Sequence, residues 1–124
     1  MKLQPDKPEN WSIHAYGEGW VSVNGERHSQ SLVISSHGSL QPWDCQRFED
    51  LQAHHFDLLV ASEPEIVLFG SGSRLRFAHP ALLRNLLDRQ IGVETMDTLA
   101  ACRTYNILAG EGRRVVAALL VEPV

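Results

Sequence analysis

Short stretches of alternating apolar and polar residues dominate the first third of the chain and predict antiparallel strands. Residues 13–16 and 20–23 alternate in this way, and a Gly-Glu-Gly turn separates them. Asn24-Gly25 follows directly, and this dipeptide is the strongest short signal for a tight hairpin. Residues 31–34 form a further apolar run. The pattern therefore predicts an amino-terminal meander of antiparallel strands.

The middle of the chain predicts a loop that is followed by short helical segments. Residues 35–43 are interrupted by glycine and proline, which favours a loop. Phe48, Leu51 and His55 recur at spacings of three and four, so a short helix is predicted between residues 45 and 55. Residues 57–60 are expected to form one more short segment.

A near-continuous apolar run at residues 65–69 is typical of a strand that is buried on both faces. Pro80 and a stripe of leucines predict a helix over residues 81–89, because proline is favourable in the first helical turn. Residues 93–96 have the pattern of the next strand. This strand–helix–strand unit should be a right-handed parallel crossover.

The run from Ile91 to Leu120 predicts a strand, a sharp turn, a helix, a second turn and a final strand. Asp97 or Thr98 is expected to cap the helix, which should end near Gly110. Residues 113–121 are expected to form the last strand, and the pattern leaves its direction open. We predict one central sheet, covered by helices near residues 81–89 and 98–109, that contains Val67, Leu68, Val93, Val116, Ala118 and Leu120.

The composition fits one folded domain. The 124 residues are 44% hydrophobic, and a chain of this length buries roughly two-thirds of its unfolded surface. We expect residues 1–12 to be a flexible segment and residues 13–124 to form a single domain.

No apolar run approaches the ~20 residues that a membrane span needs, and the first residues resemble neither a signal peptide nor a transit peptide. These features predict a cytoplasmic protein without a membrane span.

The distribution of charge narrows the classes of partner. A net charge of −4 disfavours a general nucleic-acid binder, so we expect no nucleic-acid partner. The segment from residue 74 onward nevertheless carries seven arginines against five acids, and the planar guanidinium suits carboxylates and phosphates. The histidines and cysteines show no metal-binding spacing. We therefore expect neither a metal nor a cofactor.

The turn Gly70-Ser71-Gly72, which follows the buried strand, is the first candidate site. Glycines let backbone amides approach a ligand, and a nest of such amides can hold an anion. A tight structural turn explains the same residues. The third glycine of a dinucleotide fingerprint is absent, no GK[ST] follows, and the G-x-S-x-G elbow of serine hydrolases is missing. We identify no catalytic residue.

A second candidate lies where the strand that ends at residue 96 passes into the helix. The amino-terminal end of a helix attracts anions, although Asp97 can cap the same amides. The turns that follow two adjacent parallel strands lie next to each other. We therefore expect one crevice, suited to phosphate, sulfate or carboxylate, that contains Gly70, Gly72, Arg74, Asp97 and Thr98.

Arg103 and Asn106 share a face of the predicted helix because they are three residues apart. Asparagine is a middling helix former, so its presence indicates a specific hydrogen bond. Two roles remain open for this pair, namely bracing a neighbouring segment and contact with a ligand in the crevice. Cys102 is interpreted as a small buried hydrophobe.

Several longer strings of residues carry a resemblance to a known family. They include GVETMDTLAACRTYNILAGEGRRVVAALL, the preceding FGSGSRLRF, and the amino-terminal HAYGEGWVSVNGERH and SLVISSHGSLQPW. Together they cover most of the folded part of the chain. They resemble domain-of-unknown-function family 498, which has the Mth-938-like fold and includes the mitochondrial complex I assembly factor 3.

The resemblance implies a three-layer α/β fold with a central mixed sheet, in addition to the amino-terminal antiparallel meander. It implies neither an established catalytic mechanism nor a cofactor. It also implies an assembly role that depends on a protein partner. We therefore expect a non-enzymatic protein-binding or assembly module. The alternatives are a small enzyme or ligand sensor that binds an anionic metabolite in the crevice, and a purely structural domain.

Overall fold

The computed structural model describes residues 11–123. The first part forms an antiparallel sheet in the order β1-β2-β3, with β1 at Ile13–Gly17, β2 at Trp20–Val23 and β3 at Glu26–His28. Asn24 and Gly25 have φ angles of 49° and 89°, as a two-residue hairpin turn requires. The antiparallel meander is therefore confirmed, with β3 as its third strand. The run at residues 31–34 was predicted to belong to this meander, but it forms part of a strand of the second sheet, because it pairs with the final strand of the chain.

A second sheet of the described residues is mixed and has the order β5-β4-β8-β6-β7. Strand β6 runs parallel to both β7 and β8, and β4 runs antiparallel to β8 and to β5. The final strand is thus parallel to β6 and lies in the middle of the sheet. The strands are β4 at Leu32–Ser35, β5 at Leu40–Pro42, β6 at Ile66–Gly70, β7 at Gly92–Met96 and β8 at Val115–Leu119.

Three α-helices occur within residues 11–123, namely α1 at Ala53–Asp57, α2 at Arg84–Asp88 and α3 at Thr98–Gly110. Short 3₁₀ turns at Phe48–Asp50, Leu58–Ser62 and Pro80–Leu83 accompany α1 and α2. The described helices pack on the two faces of the mixed sheet.

Two other local predictions were wrong. The predicted helix at residues 45–55 is a 3₁₀ turn followed by α1, because Leu51 and Gln52 are extended and direct Leu51 into the core. The predicted loop at residues 35–43 contains β5, a three-residue edge strand that pairs with β4. A strand of this length that includes proline carries almost no pattern in the sequence.

Side chains alternate between the two faces of the mixed sheet and define two cores. Val67 and Phe69 point to the layer of α1 and α2, where they meet Trp43, while Leu68 points to the opposite layer of α3 and the meander. Every residue of β8 is buried. Leu120 lies one residue beyond β8, yet its amide donates to the Gly70 carbonyl over 2.9 Å. The predicted three-layer α/β architecture is confirmed.

The amino-terminal boundary of the domain stays a prediction. Residues 1–10 of the predicted flexible segment lie outside the described residues. The indole of Trp11 donates to the Gly38 carbonyl over 3.1 Å, and the Ser12 amide donates to the Asn24 side chain over 2.8 Å. These two residues therefore contact the folded domain.

Candidate functional site

The carboxyl ends of the three parallel strands meet at one edge of the mixed sheet. Gly70 at the end of β6 is in register with Met96 of β7 and with Leu119 of β8. The segments that follow these strands are the Gly70-Ser71-Gly72 turn, the start of α3 and the chain from residue 120 onward. This edge is where ligands most often bind in open α/β sheets.

The Thr98 hydroxyl joins the three segments. It donates to the Leu120 carbonyl over 2.7 Å and accepts from the Gly72 amide over 2.9 Å. The Thr98 amide in turn donates to the Gly72 carbonyl over 2.9 Å. Gly70 lies directly beneath, since a Cβ at that position would be 3.0 Å from Thr98 Oγ1. Thr98 is therefore a buried structural junction.

Ser71 and Arg76 order the turn from its other side. The Ser71 amide donates to the Met96 carbonyl over 2.8 Å, and the Ser71 hydroxyl donates to the Arg74 carbonyl over 2.7 Å. The Arg76 guanidinium donates to the Ser71 carbonyl and to Glu122 Oε1, each over 2.7 Å. The inward-facing arginine of the turn is therefore Arg76, while Arg74 is exposed.

Gly72 is required by its backbone angle and by its neighbours. Its φ angle is +103°, and a Cβ would collide with Glu122 Oε1 and with Arg76 Nη2. The amides of Ser71, Gly72 and Thr98 all donate within the protein. The expected anion nest of amides that face a shared space is thus replaced by a closed hydrogen-bond network.

The sequence predicted either Asp97 or Thr98 as the cap of α3, and the structure shows that Asp97 is the cap. Its Oδ1 accepts from the Ala100 amide over 2.8 Å, which satisfies one of the free amides of the first turn. Thr98 is the first helical residue and has the different role described above.

Asn106 braces the meander. Its side-chain amide donates to the Ile13 carbonyl over 2.7 Å, and its carbonyl accepts from the Ile13 amide over 2.9 Å. The Asn106 side chain thus pairs with both the N–H and the C=O of Ile13, as the backbone of a neighbouring strand would. The Tyr105 hydroxyl donates to the Trp11 carbonyl over 2.9 Å, and burial raises the pKa of Tyr105. Bracing is thus the observed contact of Asn106.

Arg103 lies on the surface next to β1. Its Nη1 donates a long hydrogen bond of 3.4 Å to the Tyr16 hydroxyl, and this bond raises the pKa of the guanidinium. Arg103 therefore stays charged and keeps other donors that face solvent.

A cleft of about 380 Å³ opens between the β1–β2 turn and the carboxyl edge of the mixed sheet. Of the predicted site residues, Gly72 and Thr98 line this cleft, whereas Gly70, Ser71, Arg74, Asp97, Arg103 and Asn106 do not. The sequence reasoning missed Glu18 and Trp20 of the meander, Leu99 of α3 and Glu122 of the segment after β8, which all line the cleft. The Gly-Glu-Gly sequence before Trp20 was the available signal for a tight turn, but it says nothing about where that turn packs.

The two cysteine thiols are buried and protonated at neutral pH. Burial raises the pKa of Cys102 to about 12, and burial also raises the pKa of Cys45. Cys102 packs in the core between α3 and the sheet, as the sequence predicted. Within residues 11–123, no group of three histidine, cysteine or acidic side chains is placed to hold a metal ion.

The chain matches known proteins over nearly its whole length. The family model described as "Protein of unknown function (DUF498/DUF598)" matches residues 13–120. The protein named "NADH dehydrogenase (ubiquinone) 1 alpha subcomplex assembly factor 3" of Bos taurus is 35% identical over 123 residues, which are 98% of this chain and 66% of that relative. The chain thus spans just under two thirds of the length of this relative.

Solved structures share the fold. A crystal structure of a Bordetella parapertussis protein superimposes with a TM-score of 0.87 at 40% identity, over 93% of this chain and 98% of that chain. A solution structure of a Bordetella pertussis protein, described as a Mth938-like domain, has a TM-score of 0.80 at 36% identity over 98% and 93% of the two chains.

A bacterial relative bears on localisation. The "13 kDa major membrane protein" of Francisella tularensis is 29% identical over 103 residues, which are 81% of this chain and 82% of that relative. In the described part of this chain, none of the helices has the length and apolar character needed to cross a bilayer.

Proposed function

The chain belongs to the DUF498/DUF598 family, and on that premise we propose that it is a protein-binding module with an assembly role. The observation that carries the proposal is its 35% identity, over 98% of its length, to a protein named as an assembly factor of NADH dehydrogenase. The chain matches only 66% of that relative. The proposal therefore names a protein-binding role but does not name the partner.

The chemistry of the carboxyl edge supports binding rather than catalysis. The Thr98 and Ser71 hydroxyls both donate to backbone carbonyls, and the Cys102 thiol is held protonated by burial. The two hydroxyls have structural partners and the protonated thiol is buried, so all three groups are poor nucleophiles in that state. Large apolar side chains are meanwhile exposed, with Phe77 70% accessible. Exposed apolar groups of this size are common at protein-binding surfaces.

Co-elution at native abundance tests the proposal. The protein carries an affinity tag at its chromosomal locus, and the host extract is fractionated at moderate salt. A specific protein that elutes in constant ratio with the tagged chain supports the proposal, and an unrelated tagged protein of similar size is the control. A monomeric elution peak without any enriched protein contradicts it.

The cytoplasmic location also stays a proposal, and the same host strain tests it. Fractionation of the extract should place the tagged chain in the supernatant after ultracentrifugation at physiological salt. Recovery with the membrane pellet would contradict the location and would agree with the name of the Francisella tularensis relative.

Binding of an anionic metabolite in the cleft is the second candidate. The Leu99 amide, at the start of α3, has no acceptor among residues 11–123, and Leu99 lines the cleft. A free amide at a helix start attracts anions. The carboxylates of Glu18 and Glu122 line the same cleft and oppose an anion.

Titration with phosphate and sulfate, followed by amide NMR shifts, tests this second candidate. Saturable shifts of the Leu99 and Ser73 amides at millimolar anion would support a ligand site. If the amides of residues 70–74 and 97–99 do not shift, the anion site is rejected.

A further inference from the structure

The outer face of α3 differs from its inner face. Ala101, Cys102 and Tyr105 on the inner face are fully buried. On the outer face, Leu99 and Ile107 are 38% and 60% accessible, and Arg103 lies exposed between them. Because these three residues are spaced by four, they form one stripe along the helix. We name Leu99, Arg103 and Ile107 the outer stripe.

Arg103 has N–H donors that could still bind a carboxylate. Among residues 11–123, no acidic side chain lies within ion-pair distance of it. Arg76 and Arg113, by contrast, pair with Glu122 and Glu65. A guanidinium has five N–H donors in a fork that matches a carboxylate, and only one of them contacts Tyr16. Asp97 acts on Arg103 only from beyond ion-pair distance. The outer stripe therefore combines two apolar side chains with one cation that has no ion-pair partner among residues 11–123.

We propose that the outer stripe docks an amphipathic helix of a partner protein. Apolar side chains of that helix cover Leu99 and Ile107, and an aspartate or glutamate between them pairs with Arg103. This inference rests on the proposed function, because it specifies the surface and the chemistry of the partner.

The dimensions of the outer stripe match a helix. Leu99 and Ile107 are separated by ~12 Å along the axis of α3, since each residue rises ~1.5 Å. A partner helix places apolar residues on one face at spacings of three, four and seven, which spans the same distance. Side chains four apart also form a ridge that packs into the groove of a second helix.

Charge complementarity favours a protein over a membrane. Helices that bind a bilayer surface carry several lysines and arginines on the polar face. The outer stripe has one arginine, and the whole chain has a net charge of −4. The partner group that matches Arg103 is a single carboxylate. Apolar contacts on both sides would shield this ion pair from water, and such shielding strengthens it.

Leu99 also connects the outer stripe to the cleft. It lines the cleft together with Trp20 of the β1–β2 turn. A helix docked on α3 therefore ends beside that turn, where an adjoining segment of the partner has about 380 Å³ to enter.

Site-specific photo-crosslinking in the native host tests the inference. A photoreactive phenylalanine replaces Ile107 in one strain and Leu87 in a control strain. Leu87 lies on α2, on the opposite face of the sheet, and is 49% accessible. The expected result is a discrete crosslinked product from position 107 and none from position 87. Equal products from both positions would overturn the inference.

Charge reversal tests the ion pair itself. Arg103→Glu should weaken the crosslink at position 107 by roughly tenfold or more, as expected when a shielded ion pair is replaced by like charges. Arg89→Glu, directly after the last residue of α2, is the control and should leave the crosslink unchanged. Reversal of the acidic residue in the crosslinked partner helix should restore binding to the Arg103→Glu variant. Failure of this rescue, or a partner segment without a helix, overturns the inference.

The outcomes separate this inference from the proposed function. If a partner co-elutes but position 107 gives no crosslink, the docking surface is wrong and the protein-binding function stands. If no partner co-elutes and none crosslinks, both fail. Vesicles of phosphatidylglycerol test whether a membrane binds the outer stripe instead. If the protein cosediments with these vesicles in a way that depends on Arg103, and no protein crosslink forms, the inference of a partner helix is overturned in favour of a membrane surface.

Discussion

The turn after β6 and the outer stripe of α3 lie close together along the fold but use their side chains in opposite ways. Ser71 and Gly72 of the turn and Thr98 at the start of α3 are buried, and they are bonded to one another or to backbone carbonyls. In the outer stripe, apolar side chains face solvent, and the one cation makes no ion pair with any of the described residues. Polar residues at a strand end can thus be fully used in hydrogen bonds that connect segments of the fold, while the exposed surface of a helix remains available for binding.

Substitution of Gly72 should have the largest effect on this comparison. Gly72→Ala places a Cβ against Glu122 and Arg76 at a φ angle of +103°. We expect it to lower the free energy of unfolding by about 3 kcal/mol, which combines backbone strain with disruption of the partly buried Arg76–Glu122 ion pair. Urea denaturation measures the effect.

Gly25→Ala is the control for the strain alone. Gly25 also has a positive φ angle, of +89°, but no atom lies within 4 Å of the added Cβ. The control should lose only ~1 kcal/mol. Equal losses at both glycines would show that the contact of Gly72 with the Arg76–Glu122 pair carries no stability.

Removal of the Thr98 hydroxyl should have the next largest effect. Thr98→Val keeps the shape but leaves the Leu120 carbonyl and the Gly72 amide without their partner. We expect a loss of about 2 kcal/mol, because buried unpaired groups are costly. Thr104→Val, at a half-buried position of the same helix, should change stability by less than ~0.5 kcal/mol. Thermal unfolding would contradict the prediction if both variants matched the wild type.

Loss of the Asn106 side chain should detach β1 from α3. Asn106→Ala removes both hydrogen bonds to Ile13, and we expect a loss of about 1–2 kcal/mol. Hydrogen exchange should become faster at the Ile13 amide while the amides of β6 and β8 stay protected. Uniformly faster exchange in all strands would argue against a local brace.

The thiol of Cys102 should weaken the fold at alkaline pH. Its pKa is raised from 9.0 to about 12 in the folded state, so the folded thiol keeps a proton that the unfolded thiol loses. Stability is therefore unaffected below pH 9 and falls between pH 9 and 12, by up to about 1.4 kcal/mol per pH unit. Cys102→Ala should flatten this fall, as measured by urea denaturation at pH 7.5, 9 and 10. An unchanged pH dependence would contradict the assignment.

Changes to the outer stripe should have the smallest effect on stability. Leu99→Ser and Ile107→Ser remove exposed apolar groups, so each should change the free energy of unfolding by less than ~0.5 kcal/mol. The same changes should reduce partner retention in the co-elution assay. A large loss of stability would show that these side chains belong to the core, and the comparison of the two regions would fail.

Much of the fold was predictable from local patterns. The alternating residues and the Asn24-Gly25 turn indicated the meander, and the apolar run at residues 65–69 indicated a central strand. Asp97 was named as one possible cap, and it caps α3. The resemblance to family 498 is also confirmed. These features depend on residues that are neighbours in the chain.

The candidate site was less predictable because its contacts are distant in sequence. Arg74 and Arg76 have the same chemistry and lie two residues apart, yet only Arg76 reaches Glu122, which is 46 residues away. Nothing in the local pattern distinguishes them. Trp20 and Glu18 enter the cleft from the meander, whose position depends on the Asn106 bonds to Ile13.

The sequence by itself indicated the strands other than β3 and β5, the main helix, the two possible caps and the family, because propensity, periodicity and turn chemistry act over a few residues. Only the tertiary structure decided that β8 lies parallel to β6, that the Gly72 and Thr98 amides bond internally, and which side chains of α3 stay exposed. Those outcomes depend on which segments meet across the sheet. Burial then requires every polar group at the contact to find a partner, and the groups left outside are the ones that remain free to bind.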